Sequence, residues 1–312
     1  MSARTTESTP RTPGGTDPET EDDPRRDERE SAGYGPFARE LVGSVRAVDV
    51  LALCLPAAVL VAVFSLPEET RRSLAFAYAD PTVSSAFTAH YVHLAPDHLV
   101  GNLAGYAVLA GTGYALAVMS GSRRLFFTAF VTFLGAFPFA LSALNLAVPR
   151  DAIGFGFSGV NMALSGLVPI LCYCYARDRF APSASLAPLP AVFFALVGWI
   201  ALLAFPVSTR GVGLAGLATG GAGAALAVLY ATSSGIRLRQ PVRRHVRTVA
   251  SRPGYGDLLA VGVVLAVAYP VVGFPSDPSG EGSVVNLYVH LLGFCLGFIA
   301  PFALLATGVF DE

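Results

Sequence analysis

Long apolar stretches alternate with short polar segments over most of this chain, from about residue 47 to residue 309. A helix needs about 20 apolar residues to cross a hydrocarbon core about 30 Å thick, because it rises about 1.5 Å per residue. The pattern therefore predicts an all-α polytopic membrane protein with about eight transmembrane helices. The predicted spans cover about 47–66, 96–119, 125–148, 158–175, 189–205, 211–231, 258–272 and 284–309.

The composition agrees with a membrane protein. Hydrophobic residues make up 53% of the 312 residues and charged residues only 14%, whereas soluble domains carry about 25% charged residues. The formal net charge is −1, so no nucleic-acid partner is predicted and the lipid bilayer is the expected surrounding.

Residues 1–44 differ from the rest in being rich in Thr, Pro, Gly, Asp, Glu and Arg. A segment with so few apolar residues cannot bury a core of its own, so it is predicted to be a disordered charged tail. The membrane domain is predicted to cover 45–309.

Arginine placement predicts the orientation. The loops that follow even-numbered spans hold ten arginines between residues 123 and 252, and six of these lie in 237–252. The loops that follow odd-numbered spans hold only four, at positions 71, 72, 150 and 210. Cytoplasmic loops carry such an excess, so both termini are predicted to be cytoplasmic in a multi-pass protein of the cell membrane. External labelling of Ser251→Cys in sealed cells would contradict this orientation.

Few polar side chains fall inside the predicted spans, and such residues are functional candidates because burying them in lipid is costly. His98 and Asn102 lie on the second span, Ser158 and Asn161 on the fourth, and His290 on the last. These three spans all run from outside to inside in the predicted orientation. His98, Ser158 and His290 lie near the start of their spans, so we expect them at a similar shallow depth.

Ser158 stands between glycines, after Gly156 and before Gly159, where the fourth span is predicted to begin. Glycines permit a tight turn and close backbone approach. A helix N-terminus offers free N–H groups and partial positive charge to a developing oxyanion. The pattern favours a nucleophilic serine, which needs a base from elsewhere in the chain.

His290 is the predicted base, because Gly293 and Gly297 follow it in a small-xxx-small pattern. Such a pattern lets another helix approach closely, and Gly159 and Gly166 offer a similar face on the fourth span. Close packing of the two helices would bring His290 to Ser158. The alternative is that the glycines only pack helices and that His290 bonds a backbone carbonyl.

His98 and Asn102 are four residues apart and therefore share one helix face. Beside a serine nucleophile they would form an oxyanion hole together with the backbone N–H of Ser158. A metal cluster of His90, His93 and His98 is a weaker alternative, because the spacing lacks a strong ligand motif. No metal or cofactor is predicted.

Three separated pieces together resemble the rhomboid family of intramembrane serine proteases. The resemblance covers about residues 45–309 and leaves out the tail. The pieces are His93-x4-His98-x3-Asn102, Gly156-Phe157-Ser158-Gly159 followed by Leu164 and Gly166, and His290-x2-Gly293-x3-Gly297, in the order that the family has them.

The resemblance implies a rhomboid-like helical bundle with a six-helix core, and an activity of serine endopeptidase on transmembrane segments of membrane proteins. It implies Ser158 as the nucleophile and His290 as general base and acid, with no third carboxylate. It implies His98, Asn102 and the Ser158 amide as the oxyanion site, and residues 273–283 as a cap over the site.

The chain departs from the family pattern in three ways. Eight spans are predicted where the common bacterial fold has six, so either two spans are added between the serine and histidine helices or one hydrophobic stretch there is not a span. The first outer loop has Arg71 and Arg72 but no Trp-Arg pair, and Met162 stands where many members have a tyrosine that stacks on the histidine. A rhomboid-like pseudoprotease that binds or routes membrane clients without cleavage is therefore an alternative. A transporter is a further alternative, although the spans lack the additional charged residues and repeated halves expected of one.

Overall fold

A computed structural model describes residues 35–148, 150–204, 212–233, 247–275, 279–280, 283–284 and 286–310. These residues are mostly helical. The principal helices are α1 Gly35–Ser44, α2 Ala47–Phe64, α3 Glu68–Ser73, α4 Val83–Thr88, α5 Pro96–Met119, α6 Arg123–Gly135, α7 Phe137–Asn145, α8 Ser158–Phe180, α9 Leu189–Ala204, α10 Val212–Ser233, α11 Tyr255–Gly273 and α12 Leu287–Ala306.

Two short antiparallel ladders accompany the helices. Strand β1, Phe76–Ala77, pairs with β2, Ile153–Gly154, in the register Phe76 to Gly154 and Ala77 to Ile153. Strand β3, Ser279–Gly280, pairs with β4, Ser283–Val284. The first ladder holds the segment before α8 against the loop between α3 and α4.

Five helices of the described residues are long and apolar enough to cross a membrane, namely α2, α5, α8, α11 and α12. Together they confirm the predicted class, an all-α polytopic membrane protein. Helices α6 and α7 correspond to the third predicted span but are bent by 50° at the break between them. The bend has a sequence cause, because Pro138 lies in the first turn of α7 and has no N–H to continue the preceding helix.

The remaining predicted spans correspond to α9 and α10. Helix α9 has only 16 residues, fewer than a straight span needs. It packs on α10 through glycines: a Cβ on Gly223 would lie 2.8 Å from Cα of Gly198. The count of eight spans, with α9 and α10 as the two beyond a six-helix core, stays a prediction.

Helix α8 is the centre of the bundle. Inside the protein, 89% of its most apolar stretch is buried, against 17–56% for the other four spanning helices. It packs against α5, α11 and α12. The helix that begins with Ser158 is therefore surrounded by protein, and its neighbours face the lipid.

Helices α8 and α12 meet through glycines, backbone against backbone. A Cβ on Gly293 would overlap the carbonyl oxygen of Gly159, and one on Gly297 would overlap the carbonyl oxygen of Ala163. On the opposite helix, a Cβ on Gly166 would overlap the carbonyl oxygen of Phe294. The small residues thus allow the close helix approach that the spacing predicts.

The predicted disordered tail extended ten residues too far, because 35–44 form helix α1; residues 1–34 lie outside the described residues. Tertiary contacts explain the helix. Glu40 of α1 accepts hydrogen bonds from Tyr255 at 2.6 Å and from Arg179 at 2.5 Å. Burial would raise the pKa of Glu40, but these bonds lower it below its ordinary value. Glu40 therefore docks α1 on the ends of α8 and α11 farthest from Ser158.

Candidate active site

The segment before α8 is held by backbone contacts. The N–H of Gly156 donates to the carbonyl of Ala89 at 2.9 Å. Gly156 has a φ of +112°, which favours glycine, and a Cβ there would lie 2.8 Å from Cε1 of His98. Any side chain at this position would push His98 away, so Gly156 permits the contact between the segment and α5.

Ser158 is the first residue of α8. The helix starts with the bond from the Asn161 N–H to the Phe157 carbonyl at 3.0 Å, so the N–H groups of Ser158, Gly159 and Val160 have no acceptor within the helix. The serine is half-buried, whereas Phe157 before it and Gly159 after it are buried. The hydroxyl therefore lies beside free backbone donors at the positive end of a helix.

His290 lies in the first turn of α12. Asn286 caps this helix by accepting a hydrogen bond from the Val289 N–H at 3.1 Å. The imidazole is buried, and its Nδ1 is 2.5 Å from the carbonyl oxygen of Gly273, the last residue of α11. The sequence left open that His290 only bonds a backbone carbonyl. The structure shows such a bond, to Gly273.

The glycine packing brings the first turns of α8 and α12 side by side. A Cβ on Gly159 would lie 2.8 Å from Cγ1 of Val289, so the Ser158–Gly159 step and the Val289–His290 step are in contact. No hydrogen bond among the described residues joins Ser158 to His290. The starts of the two helices are therefore adjacent, but the two side chains are not hydrogen-bonded to each other.

His98 and Asn102 face α8 from α5. The Asn102 amide donates to the His98 carbonyl at 3.0 Å. It is also fixed from the other side, because Nδ2 of the fully buried Asn161 donates to the Asn102 carbonyl at 2.9 Å and to Oδ1 of Asn102 at 3.2 Å. His98 packs its ring edge against Phe155, with centroids 5.8 Å apart, in the segment before Ser158. The predicted oxyanion donors thus lie in the same region as the serine and the base.

The other two histidines of this region have structural contacts. His90 is hydrogen-bonded through Nε2 to Ser142 at 3.1 Å, and burial lowers its pKa to about 4. His93 accepts from the Phe157 N–H at a long 3.5 Å, and burial, followed by the charge of His98, lowers its pKa to about 3. Both are therefore neutral at physiological pH. His93 supports the segment before Ser158, and His90 joins its own segment to α7.

Within the described ranges, no three His, Cys, Asp or Glu side chains come together as a metal-binding group would require. The metal cluster of His90, His93 and His98 that the sequence left open is therefore not formed. His93 and His98 instead pack as rings, with centroids 4.9 Å apart.

Three contacts of the site were missed by sequence reasoning. Gly273 supplies the carbonyl to His290. Phe274 places the edge of its ring on the His290 imidazole, with centroids 6.0 Å apart. Met162 packs against Gly273. Proximity along the chain gives no indication of these contacts, because Gly273 and His290 are 17 residues apart.

The predicted cap, 273–283, is described only in part. Gly273 and Phe274 are buried, and β3 and β4 form a short hairpin. Residues 276–278 and 281–282, with Asp277 and Glu281, lie outside the described residues.

Tyr78 links the two halves of the site. Its hydroxyl accepts hydrogen bonds from Asn145 and, at 3.3 Å, from Asn286, which caps the helix of His290. Its backbone N–H donates to the Ala152 carbonyl at 3.1 Å, and the Arg150 guanidinium stacks 4.1 Å from its ring centroid. Tyr78 therefore contacts both the segment before Ser158 and the start of α12.

Tyr78→Phe is expected to lower catalytic turnover about tenfold, because it removes the acceptor of two amides and loosens both segments. The loss of stability should be only about 1–3 kcal/mol. The matched control is Tyr106→Phe, which also removes a buried hydroxyl bond, 2.6 Å to the Leu53 carbonyl, away from α12. Turnover and thermal unfolding of both variants are measured; equal turnover in the two would show that Tyr78 has no special role.

Comparison with known proteins does not place the chain in a family. No family model matches it, and neither the curated proteins nor the solved structures give a significant match.

Proposed function

We propose that this protein is an intramembrane serine endopeptidase of the rhomboid-like type, which cleaves transmembrane segments by a Ser158–His290 dyad. One observation carries the proposal. The glycine-mediated packing of α8 and α12 sets the Ser158–Gly159 step against the Val289–His290 step, beneath a loop-rich end of the bundle.

The chemistry is acyl transfer. The Ser158 hydroxyl attacks the scissile carbonyl, and Nε2 of His290 takes the hydroxyl proton. His98, Asn102 and the Ser158 N–H stabilise the oxyanion of the tetrahedral intermediate. His290 then gives the proton to the leaving amine, and water hydrolyses the acyl-enzyme by the reverse sequence of proton transfers.

The Ser158–His290 hydrogen bond forms in the complex with substrate. Catalytic hydrogen bonds are often long or poorly aligned without substrate and shorten only when it binds. The imidazole is well placed for this, because its Nδ1 is already bonded to the Gly273 carbonyl, which leaves Nε2 for the serine.

The partners of this function are transmembrane protein substrates and the lipid bilayer. The predicted orientation places the site near the outer face of the cell membrane, with both termini in the cytoplasm. A substrate helix would reach the site from the lipid and unwind near the outer surface. Helices α9 and α10 lie between α8 and α11 in sequence and contribute neither residue of the proposed dyad.

A pseudoprotease that binds membrane clients is the second candidate. The observation that favours it is that Nδ1 of His290 bonds a carbonyl, while no hydrogen bond among the described residues joins the Ser158 hydroxyl to His290. A histidine that only stabilises the packing of α11 on α12 would have the same contact.

A fluorophosphonate-type serine probe separates the two candidates. The purified full-length protein in detergent is expected to be labelled at Ser158, since the probe reacts only with an activated serine. Ser158→Ala should lose the label, and Ser165→Ala, which changes a fully buried serine two turns further along α8, should keep it. A folded wild-type protein that is not labelled, but that still captures a transmembrane client, would favour the pseudoprotease.

A further inference from the structure

The strongest contact of His290 is made by a backbone group. Its Nδ1 is 2.5 Å from the carbonyl oxygen of Gly273, and a carbonyl can only accept a hydrogen bond. Nδ1 must therefore carry the proton. In the neutral ring this leaves the lone pair on Nε2, which is the tautomer that a base for Ser158 requires.

We propose that the Gly273 carbonyl positions His290 as the general base, in the place that a carboxylate occupies in a three-residue serine site. The inference rests on the proposed protease function. It assigns Gly273 as a positioning residue for that reaction. Gly273 lies on α11, which carries none of the proposed catalytic residues.

The end of α11 is suited to this task. The carbonyls at the end of a helix receive no hydrogen bond from an N–H group of the same helix. Gly273 is the last residue of α11, so its carbonyl is free to accept from His290. The C-terminus of a helix also carries partial negative charge. This charge stabilises the imidazolium that forms when His290 takes the serine proton, so an uncharged group supplies part of what an aspartate supplies elsewhere.

Met162 explains why this position is a glycine. A Cβ on Gly273 would lie 2.6 Å from Sδ and 3.3 Å from Cε of Met162. Met162 is buried and follows Ser158 by four residues, one turn along α8. The thioether therefore sets how closely the end of α11 approaches the helix of the serine, and so where the carbonyl lies.

Phe274 completes the arrangement from the same segment. Its N–H donates to the Pro270 carbonyl at 2.8 Å, which keeps the chain helical up to this point, and its ring edge packs on His290. The ring contact that many rhomboid-like proteins would draw from the position of Met162 comes here from Phe274. The carbonyl and the ring together fix the plane of the imidazole.

The test is Gly273→Ala with a compensating change. The added methyl displaces the carbonyl against Met162, and we expect kcat for cleavage of a fluorescent transmembrane substrate to fall on the order of 10²-fold, with KM little changed. Gly273→Ala combined with Met162→Ala removes the clash and should recover at least a tenth of the kcat of Met162→Ala alone.

Gly262→Ala is the matched control. It lies on the same helix, and its Cβ would meet Sγ of Cys172 at 2.5 Å and Cδ1 of Leu116 at 3.0 Å, so its steric cost is comparable but far from His290. It should keep most of the wild-type kcat. An equal loss in Gly262→Ala, or no recovery in the double variant, would overturn the positioning role and leave only a general displacement of α11.

A second measurement covers the case in which Gly273→Ala does not fold. Nitrogen NMR of the ¹⁵N-histidine-labelled wild-type protein, with His290→Ala to assign the signal, should show the tautomer protonated at Nδ1. Dominance of the Nε2-protonated form would contradict the proposal. If the wild-type protein neither cleaves substrate nor reacts with the serine probe, the protease function itself fails. If the wild-type protein is active but the Nε2-protonated tautomer dominates, the role of the Gly273 carbonyl alone fails.

Discussion

Replacing His290 with alanine is expected to lower kcat by about 10²–10⁴-fold, the usual contribution of a positioned general base. The imidazole is buried, and its helix contacts the helix of Ser158 through Gly159 and Val289. Without it the serine hydroxyl keeps its proton at neutral pH and attacks slowly. The measurement is kcat on a fluorescent transmembrane substrate, with thermal unfolding to show that the variant folds.

His98→Ala and Asn102→Ala are the comparisons for this experiment. Each removes one of several oxyanion donors, so each should be only partly defective, by about 10²–10³-fold at most. Added imidazole is expected to restore part of the activity of His290→Ala, because it can enter the space left by the ring and accept the proton. It should not restore His98→Ala, and the opposite pattern of rescue would make His98 the base.

Ser158→Ala provides the internal check of the dyad. Residues that act as one catalytic unit do not have additive effects. The double variant Ser158→Ala with His290→Ala should therefore be no slower than either single variant. A further loss in the double variant would show that the two residues act independently and that the dyad is wrong.

Gly297→Ala is expected to separate α8 from α12 and to cost both stability and activity. The added Cβ would overlap the carbonyl oxygen of Ala163 and lie 2.5 Å from its Cα. These are backbone atoms, so no side chain can rotate to make room and one helix must move. Overpacking of this kind destabilises by about 1–3 kcal/mol. A shift of about 1 Å at His290, two turns away, would lower kcat on the order of 10²-fold.

The matched control is Gly111→Ala on α5. No heavy atom lies within 4 Å of a Cβ at this position, so the substitution adds a methyl group in open space and exchanges glycine for a better helix former. It should unfold at the wild-type temperature or slightly above and keep its turnover. If Gly297→Ala behaved in the same way, the described packing of α8 on α12 would be wrong.

The spans and the glycine contacts were predictable because they depend on the type of side chain and on its spacing along the chain. Apolar length predicted α2, α5, α8, α11 and α12, and the small residues at 293 and 297 indicated a close partner helix. The bend between α6 and α7 was also encoded, at Pro138, but a continuous apolar stretch hides a change of direction. Hydrophobicity is the same on both sides of the break, and only the backbone of proline differs.

The remainder of the site could not be predicted from residue types. The Gly273 carbonyl is a group that every residue has, so nothing in the sequence distinguishes it from its neighbours. Tyr78 lies in a polar loop where a tyrosine is unremarkable, and its role depends on Asn145 and Asn286, which are 67 and 208 residues away. Helix α1 was missed for a similar reason, because its order comes from Arg179 and Tyr255 and not from its own composition.

The attachment of Glu40 to Arg179 has a mechanical consequence for the dyad. Helix α8 spans 23 residues, about 34 Å at 1.5 Å per residue, with Ser158 at one end and Arg179 near the other. The first end is tied by the β1–β2 ladder and the second by α1, and protein encloses the length between them. We therefore expect the serine oxygen to be the less mobile member of the proposed pair. Adjustment of the Ser158–His290 distance should fall to α11 and α12, which are less enclosed by protein than α8.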